Sequence, residues 1–190
     1  FGILEQLKYH DYHAPLFYLI LNIWMRFFGE HDFIIRLLPC SFGVLTIPVL
    51  YLAGKELKSY KVGFLAALLG SLNSVLIYYS QEVRFYSLLA FAGALCALFM
   101  IKLNKNASFK NYIGLIISNL LILYTSSIGF VFIFLEILIL ATYFYLFKKN
   151  VLSLKNFIIA QLITFILYIP YLSTLIYHSQ ASSKSFLNQL

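Results

Sequence analysis

Charged side chains are what this chain has least of. They make up 11 % of its residues, and only 7 of them are acidic, whereas soluble domains average about 25 % charged. With 62 % hydrophobic residues and a mean hydropathy of +0.86, this scarcity excludes a soluble domain and leaves an integral membrane protein. Cysteine is nearly absent too. Cys40 and Cys96 both lie inside apolar runs, where cysteine acts as a small hydrophobe, so no disulfide and no metal cluster is expected from them. The sequence lacks a fixed-period repeat, a low-complexity tract, and a signal peptide with basic, apolar and small regions in that order. It begins at Phe1 rather than at methionine, which reads as a piece whose N-terminus lies upstream. A single domain over residues 1–190 is expected, incomplete at its N-terminus and also at its C-terminus.

What is present is apolar sequence in long runs. Val62 to Ile77 and Ser87 to Ile101 hold no charged residue and, with the flanking tyrosines, approach the about 20 helical residues needed to cross a bilayer. Spans are predicted over Ile34 to Leu57, Val62 to Tyr79, Gln81 to Leu103 and Phe157 to Tyr177. Tyr112 to Phe147 would run about 54 Å as one helix, far beyond the ~30 Å hydrocarbon core, so it must break. Thr125, Ser126, Ser127 and Gly129 mark the turn. The predicted fold is therefore all-α, a polytopic transmembrane helix bundle of about six spans.

A shorter helix precedes them. Pro15 suits a first helical turn, where no N–H partner is needed, and Pro15 to Phe28 is only about 21 Å long. Tyr18, Asn22 and Arg26 form a polar stripe on it, which suits an interfacial juxtamembrane helix on the non-cytoplasmic side with its apolar face in lipid. A buried packing helix is the alternative. Gly29 ends it. Further on, Pro48 should kink the first span, Gly63 and Gly70 are candidate close-packing positions, and Ala181 to Leu190 reads as a polar outer segment.

Lysines mark one side of the membrane. Lys55, Lys58 and Lys61 fall in one loop, Lys102, Lys105 and Lys110 in another, and Lys148, Lys149 and Lys155 in a third. These loops alternate along the chain, as the positive-inside rule requires of cytoplasmic connections. This placement accounts for the net charge of +7 without nucleic acid, which would need basic residues gathered on one soluble face. Glu5, Asp11, Glu30, Asp32 and Glu82 and all the histidines, His10, His13, His31 and His178, fall on the other side. Groups suited to chemistry thus gather on the non-cytoplasmic face, although no spacing among them matches a known metal site.

The stretch Tyr78-Tyr79-Ser80-Gln81-Glu82-Val83-Arg84-Phe85-Tyr86 places an acid and a base in a short turn between two apolar runs. Arg84 offers a planar, permanently charged fork for an anion, or else contacts lipid headgroups. Glu82 suits acceptor binding, orientation of Arg84 or a divalent ion. In the structural alternative Ser80 is an N-cap and Glu82 sits in the first turn of the following helix, where an acid is favoured by about 0.3–1 kcal/mol. Glu136 lies deep in an apolar helix, where an ionised group costs at least a few kcal/mol. It is either neutral and hydrogen-bonded within the bundle or lines a lipid-substrate cavity, with packing the default.

Several stretches, in order, carry a family resemblance: His13-Ala14-Pro15-Leu16-Phe17-Tyr18, Arg36-Leu37-Leu38-Pro39, Gly43-Val44-Leu45-Thr46-Ile47-Pro48, Tyr79 to Tyr86, Tyr124-Thr125 and Tyr168-Ile169-Pro170-Tyr171. The chain resembles the polytopic GT-C glycosyltransferases of the protein mannosyltransferase and aminoarabinose transferase kind, closest to the branch of bacterial lipopolysaccharide galacturonosyltransferases. The resemblance implies transfer of a sugar from a polyprenyl-phosphate-linked donor to an acceptor hydroxyl on a glycan, lipid or protein, at the non-cytoplasmic face of a cell membrane that the chain crosses several times. Where the family reads Asp-x-His-Pro-Pro-Leu, this chain has Asp11 to Leu16, with Ala14 in place of the first proline. In the aminoarabinose branch a lysine near the lipid phosphate matches His13. The resemblance therefore makes His13 and Arg84 donor-phosphate ligands, Glu82 and Asp11 candidate catalytic acids, and His10, Tyr79 and Tyr86 candidate substrate contacts. Asp11 has an ordinary solvated loop residue as its alternative. The family's principal acidic pair would lie upstream of Phe1, so the chain alone is expected to be inactive. No cofactor is firmly implied, with a divalent metal left open. A transporter or flippase of lipid-linked substrates is the competing reading, and a non-catalytic membrane subunit a third.

Overall fold

Leu16–Phe28 forms the first described helix, α1, in a computed structural model that describes residues 15–147 and 154–187. His10, Asp11 and His13 lie outside the described residues. The carbonyl of Pro15 accepts from the N–H of Leu19 at 2.9 Å, and Gly29, at φ 95°, closes the helix by donating to the Met25 carbonyl. Only glycine adopts that backbone cheaply. Phe17 and Leu21, one turn apart, are buried with Leu38, Phe85 and Leu88, while Leu19, Ile23 and Phe27 are exposed. The Trp24 indole N–H donates to the Ile34 carbonyl at 2.9 Å. One apolar stripe of α1 thus docks on the bundle and another remains outside.

Helix α2, Asp32–Leu57, starts at His31, whose Nδ1 accepts from the N–H of Phe33, and continues through Pro39 and Pro48. The span predicted over Val62 to Tyr79 is broken into α3, Tyr60–Ser71, and α4, Ser74–Gln81, bent by 55°. Asn73 is the cause. Its Oδ1 accepts from the N–H groups of Val75 and Leu76 at 3.0 and 3.1 Å, capping a new helix start in place of the old ladder. Both predicted close-packing glycines are in α3 and face α2: a Cβ on Gly63 would lie 2.5 Å from the Tyr51 carbonyl oxygen, and one on Gly70 would collide with the Leu50 side chain.

Then follow α5, Tyr86–Lys105, α6, Phe109–Thr125, α7, Gly129–Phe147, and α8, Leu154–Leu187. The break between α6 and α7 falls at the predicted serines. Helix α8 runs to Leu187, so most of the polar stretch expected as a separate outer segment is helix. No glycine follows Pro170 to stop it. Among the described residues α2 and α5 are long and apolar enough to cross a membrane, the bent α3–α4 pair adds a third, and the apolar parts of α6, α7 and α8 are shorter. The protein is a helical membrane bundle. Its core joins Cys96 and Leu103 of α5, Leu115 and Ile122 of α6, and Phe157 and Ala160 of α8. At one end of the bundle Lys105 approaches Glu56 to 3.6 Å. At the other, the start of α2 meets the end of α4, where the Arg36 guanidinium donates to the Gln81 carbonyl at 3.2 Å.

Candidate functional site

Glu82 and Arg84 lie in the turn between α4 and α5, at the end of the bundle away from the Lys105–Glu56 pair. The turn differs from the one expected. Ser80 caps nothing. It belongs to α4, and its hydroxyl donates back to the Ile77 carbonyl at 2.7 Å. The chain becomes extended at Glu82, with ψ 136°. The N–H of Arg84 donates to the Glu82 carbonyl at 2.8 Å, a reverse turn of three residues, and α5 begins only at Tyr86. Glu82 is therefore the C-cap of α4, at the negative end of a helix dipole, where an acid gains nothing. The helix-start explanation of Glu82 is excluded.

The side chains around the turn form one constellation. The Tyr78 hydroxyl lies beside the Glu82 carboxylate. Arg84 is exposed, and the adjacent Tyr86 hydroxyl, followed by the nearby Glu82 charge, raises its pKa above the usual arginine value. The rings of Tyr79 and Tyr86 lie 4.4 Å apart between centroids. Phe17 and Tyr18 of α1 share a cluster with Phe85 and Tyr86, so α1 comes to this turn. Helix α5 starts without a side-chain cap, which leaves its N-terminal dipole directed at the turn. Of the residues singled out in the sequence, Glu82, Arg84, Tyr79 and Tyr86 are brought together.

Below the two tyrosines is a cavity of about 390 Å³ lined by Thr46, Leu76, Tyr79, Tyr86, Ser87 and Phe132 among others. It is almost wholly apolar. The Ser87 hydroxyl is buried there without a hydrogen-bond partner. The rim of the site is thus charged and aromatic, while its floor suits hydrocarbon.

Glu136 belongs to a different place. It is 4 % exposed, and its carboxylate accepts from the Cys96 thiol at 2.7 Å, Asn119 Nδ2 at 3.0 Å and Gln161 Nε2 at 2.8 Å. It ties α5, α6, α7 and α8 together, which makes it a packing group. Cys96 is thereby a hydrogen-bond donor rather than the plain hydrophobe expected. Among the described residues no group of histidine, cysteine, aspartate and glutamate gathers as a metal site.

Sequence reasoning missed two residues near the turn. Arg36 was visible in the Arg36-Leu37-Leu38-Pro39 stretch, but its partner lies 45 residues away. Tyr78 was read as a flanking aromatic, although its spacing to Glu82, about one helical turn, brings it beside that carboxylate.

No curated protein and no solved structure matches the chain significantly. The profile of the family described as dolichyl-phosphate-mannose-protein mannosyltransferase, however, matches residues 12–177, a stretch that takes in α1, the Glu82–Arg84 turn and every helix up to the middle of α8. This match agrees with a helical membrane bundle and with glycosyltransferase chemistry of the GT-C type, and the chain belongs to the dolichyl-phosphate-mannose-protein mannosyltransferase family.

Proposed function

We propose that the chain is part of an enzyme that takes a sugar from a polyprenyl-phosphate-linked donor and passes it to an acceptor hydroxyl of a glycan, lipid or protein on the non-cytoplasmic face. Such a transfer needs positive charge on the departing phosphate and a base for the acceptor hydroxyl. Arg84 supplies the first, as a planar fork of donors on the outer rim of the turn. The open N-terminus of α5 adds partial positive charge beside it. His13 joins Arg84 on the phosphate, and Asp11 and Glu82 are the acids within the chain that would act on the acceptor or orient the donor. His10, Tyr79 and Tyr86 contact the sugar, the two tyrosines by stacking. The apolar cavity beneath them suits the carrier hydrocarbon.

One observation carries this reading: an exposed guanidinium and a carboxylate share one turn, flanked by a tyrosine pair that lines an apolar cavity, in a member of a sugar-transfer family. The test is transfer from a lipid-phosphate sugar by the full-length protein in membranes. Arg84→Ala should lower turnover by ~10²–10³, the usual effect of removing one transition-state charge ligand, while expression is retained. Unchanged turnover would remove Arg84 from the site. Movement of the lipid-linked sugar across reconstituted vesicles without any transfer would replace the enzyme with a flippase.

A further inference from the structure

We propose that Arg36 is a positioning residue, which anchors the Glu82–Arg84 turn to α2 without touching substrate. The turn hangs from the end of α4, whose last carbonyls have no N–H partner within the helix. One of them, that of Gln81, receives the Arg36 guanidinium at 3.2 Å. A cation there also complements the negative end of the α4 dipole, and the planar guanidinium fixes the direction of the bond.

A second contact on α2 independently grips the same place. Gly43 lies two turns after Arg36, on the same side of that helix, and a Cβ on Gly43 would sit 2.6 Å from the Ser80 Cβ. The α2 backbone therefore makes a close approach to α4 at Ser80, and the Arg36 hydrogen bond is made at the next residue. Glu82 follows immediately. The contacts made within the turn, the Arg84 N–H to the Glu82 carbonyl and the Tyr79 ring on that of Tyr86, link near neighbours in sequence. They set the turn's internal shape. The Arg36 bond spans 45 residues and sets where that shape stands relative to α2, and so relative to α1 and the cavity that α2 helps to line.

The test has two arms in the full-length protein. In the first, a cysteine at position 83 is labelled by a membrane-impermeant maleimide. Adding Arg36→Ala should speed labelling by roughly fivefold, the local opening that one net hydrogen bond suppresses. Arg36→Lys, whose ammonium still donates to the carbonyl, should restore most of the protection, and Gly43→Ala, which displaces Ser80, should speed labelling as Arg36→Ala does. An unchanged rate in Arg36→Ala overturns the anchor, whatever the activity. The second arm rests on the proposed role of Arg84. It combines Arg36→Ala with Arg84→Lys in a double-mutant cycle on kcat/KM. If Arg36 acts by placing Arg84, the double variant loses no more than the worse single variant, and losses that multiply overturn the coupling. Should the protein transfer no sugar at all, the Arg84 assignment fails while the labelling arm still decides for or against Arg36.

Discussion

Glu136 and Glu82 are both acids in an apolar chain, and their surroundings give them opposite uses. Glu136 receives three side-chain hydrogen bonds from helices other than its own. In membrane proteins such bonds average about 0.6 kcal/mol each, so Glu136→Ala should cost roughly 2 kcal/mol. Glu136→Gln, which keeps a carbonyl oxygen in place, should cost less than half as much. Unfolding titrations in mixed micelles would show it, and an alanine variant as stable as the parent would refute the packing role. The partners lie between 17 and 40 residues from Glu136 in the chain, so no local pattern in the sequence could choose between packing and a substrate cavity. Glu82 makes the contrasting case. As the C-cap of α4 it opposes the helix dipole, so Glu82→Gln should leave stability unchanged or raise it by a few tenths of a kcal/mol, while lowering sugar transfer. A loss of stability of the size expected for a first-turn acid would restore the helix-start explanation.

At the scale of the element, glycine decides how closely helices approach, and the kind of atom facing each glycine decides the cost of filling it. A Cβ on Gly63 meets the backbone of α2, at the Tyr51 carbonyl and the Lys55 nitrogen. Backbone cannot turn aside, so Gly63→Ala should force α3 away from α2 at a cost of about 1–3 kcal/mol. The atoms nearest a Cβ on Gly114 belong to the ring of Phe99, which can rotate, and Gly114→Ala should cost less than half of that in the same unfolding titration. Equal costs would mean that the α2–α3 contact is looser than the geometry gives. Gly63 and Gly70 were legible as packing positions because small residues in apolar runs have few other uses. The bend beside them was not. The run from Val62 to Tyr79 reads as a continuous span, and a single exposed asparagine between Leu72 and Ser74 carries a cap that hydropathy does not weigh. The turn at Thr125 to Gly129 was legible because length alone forbade an unbroken helix there.

Over the whole molecule the chain sorts its charges by end. Arg36 and Arg84 stand where α2 begins and α4 ends, and Glu56 and Lys105 stand together where α2 and α5 end, 3.6 Å apart. Helix α5, which connects the two ends, has 20 residues and so rises about 30 Å, the thickness of the hydrocarbon core. The lysine-rich stretches at 55–61 and 102–110 made this sorting legible in the sequence, since two crossings apart they return to one end of the bundle. The candidate site was legible only in its own turn, because the residues packed against that turn come also from α1, α2 and α4. The arrangement predicts the outcome of a labelling experiment in intact cells. A cysteine replacing Gln81 should react with an impermeant reagent applied from outside, and one replacing Ser59, in the lysine loop between α2 and α3, should react only after the membrane is opened. Since α3 and α4 are bent at Asn73 rather than straight, the alternative is a re-entrant pair that returns to its starting side. Both cysteines would then label from the same side, and Arg84 would share a membrane face with Lys58 and Lys61.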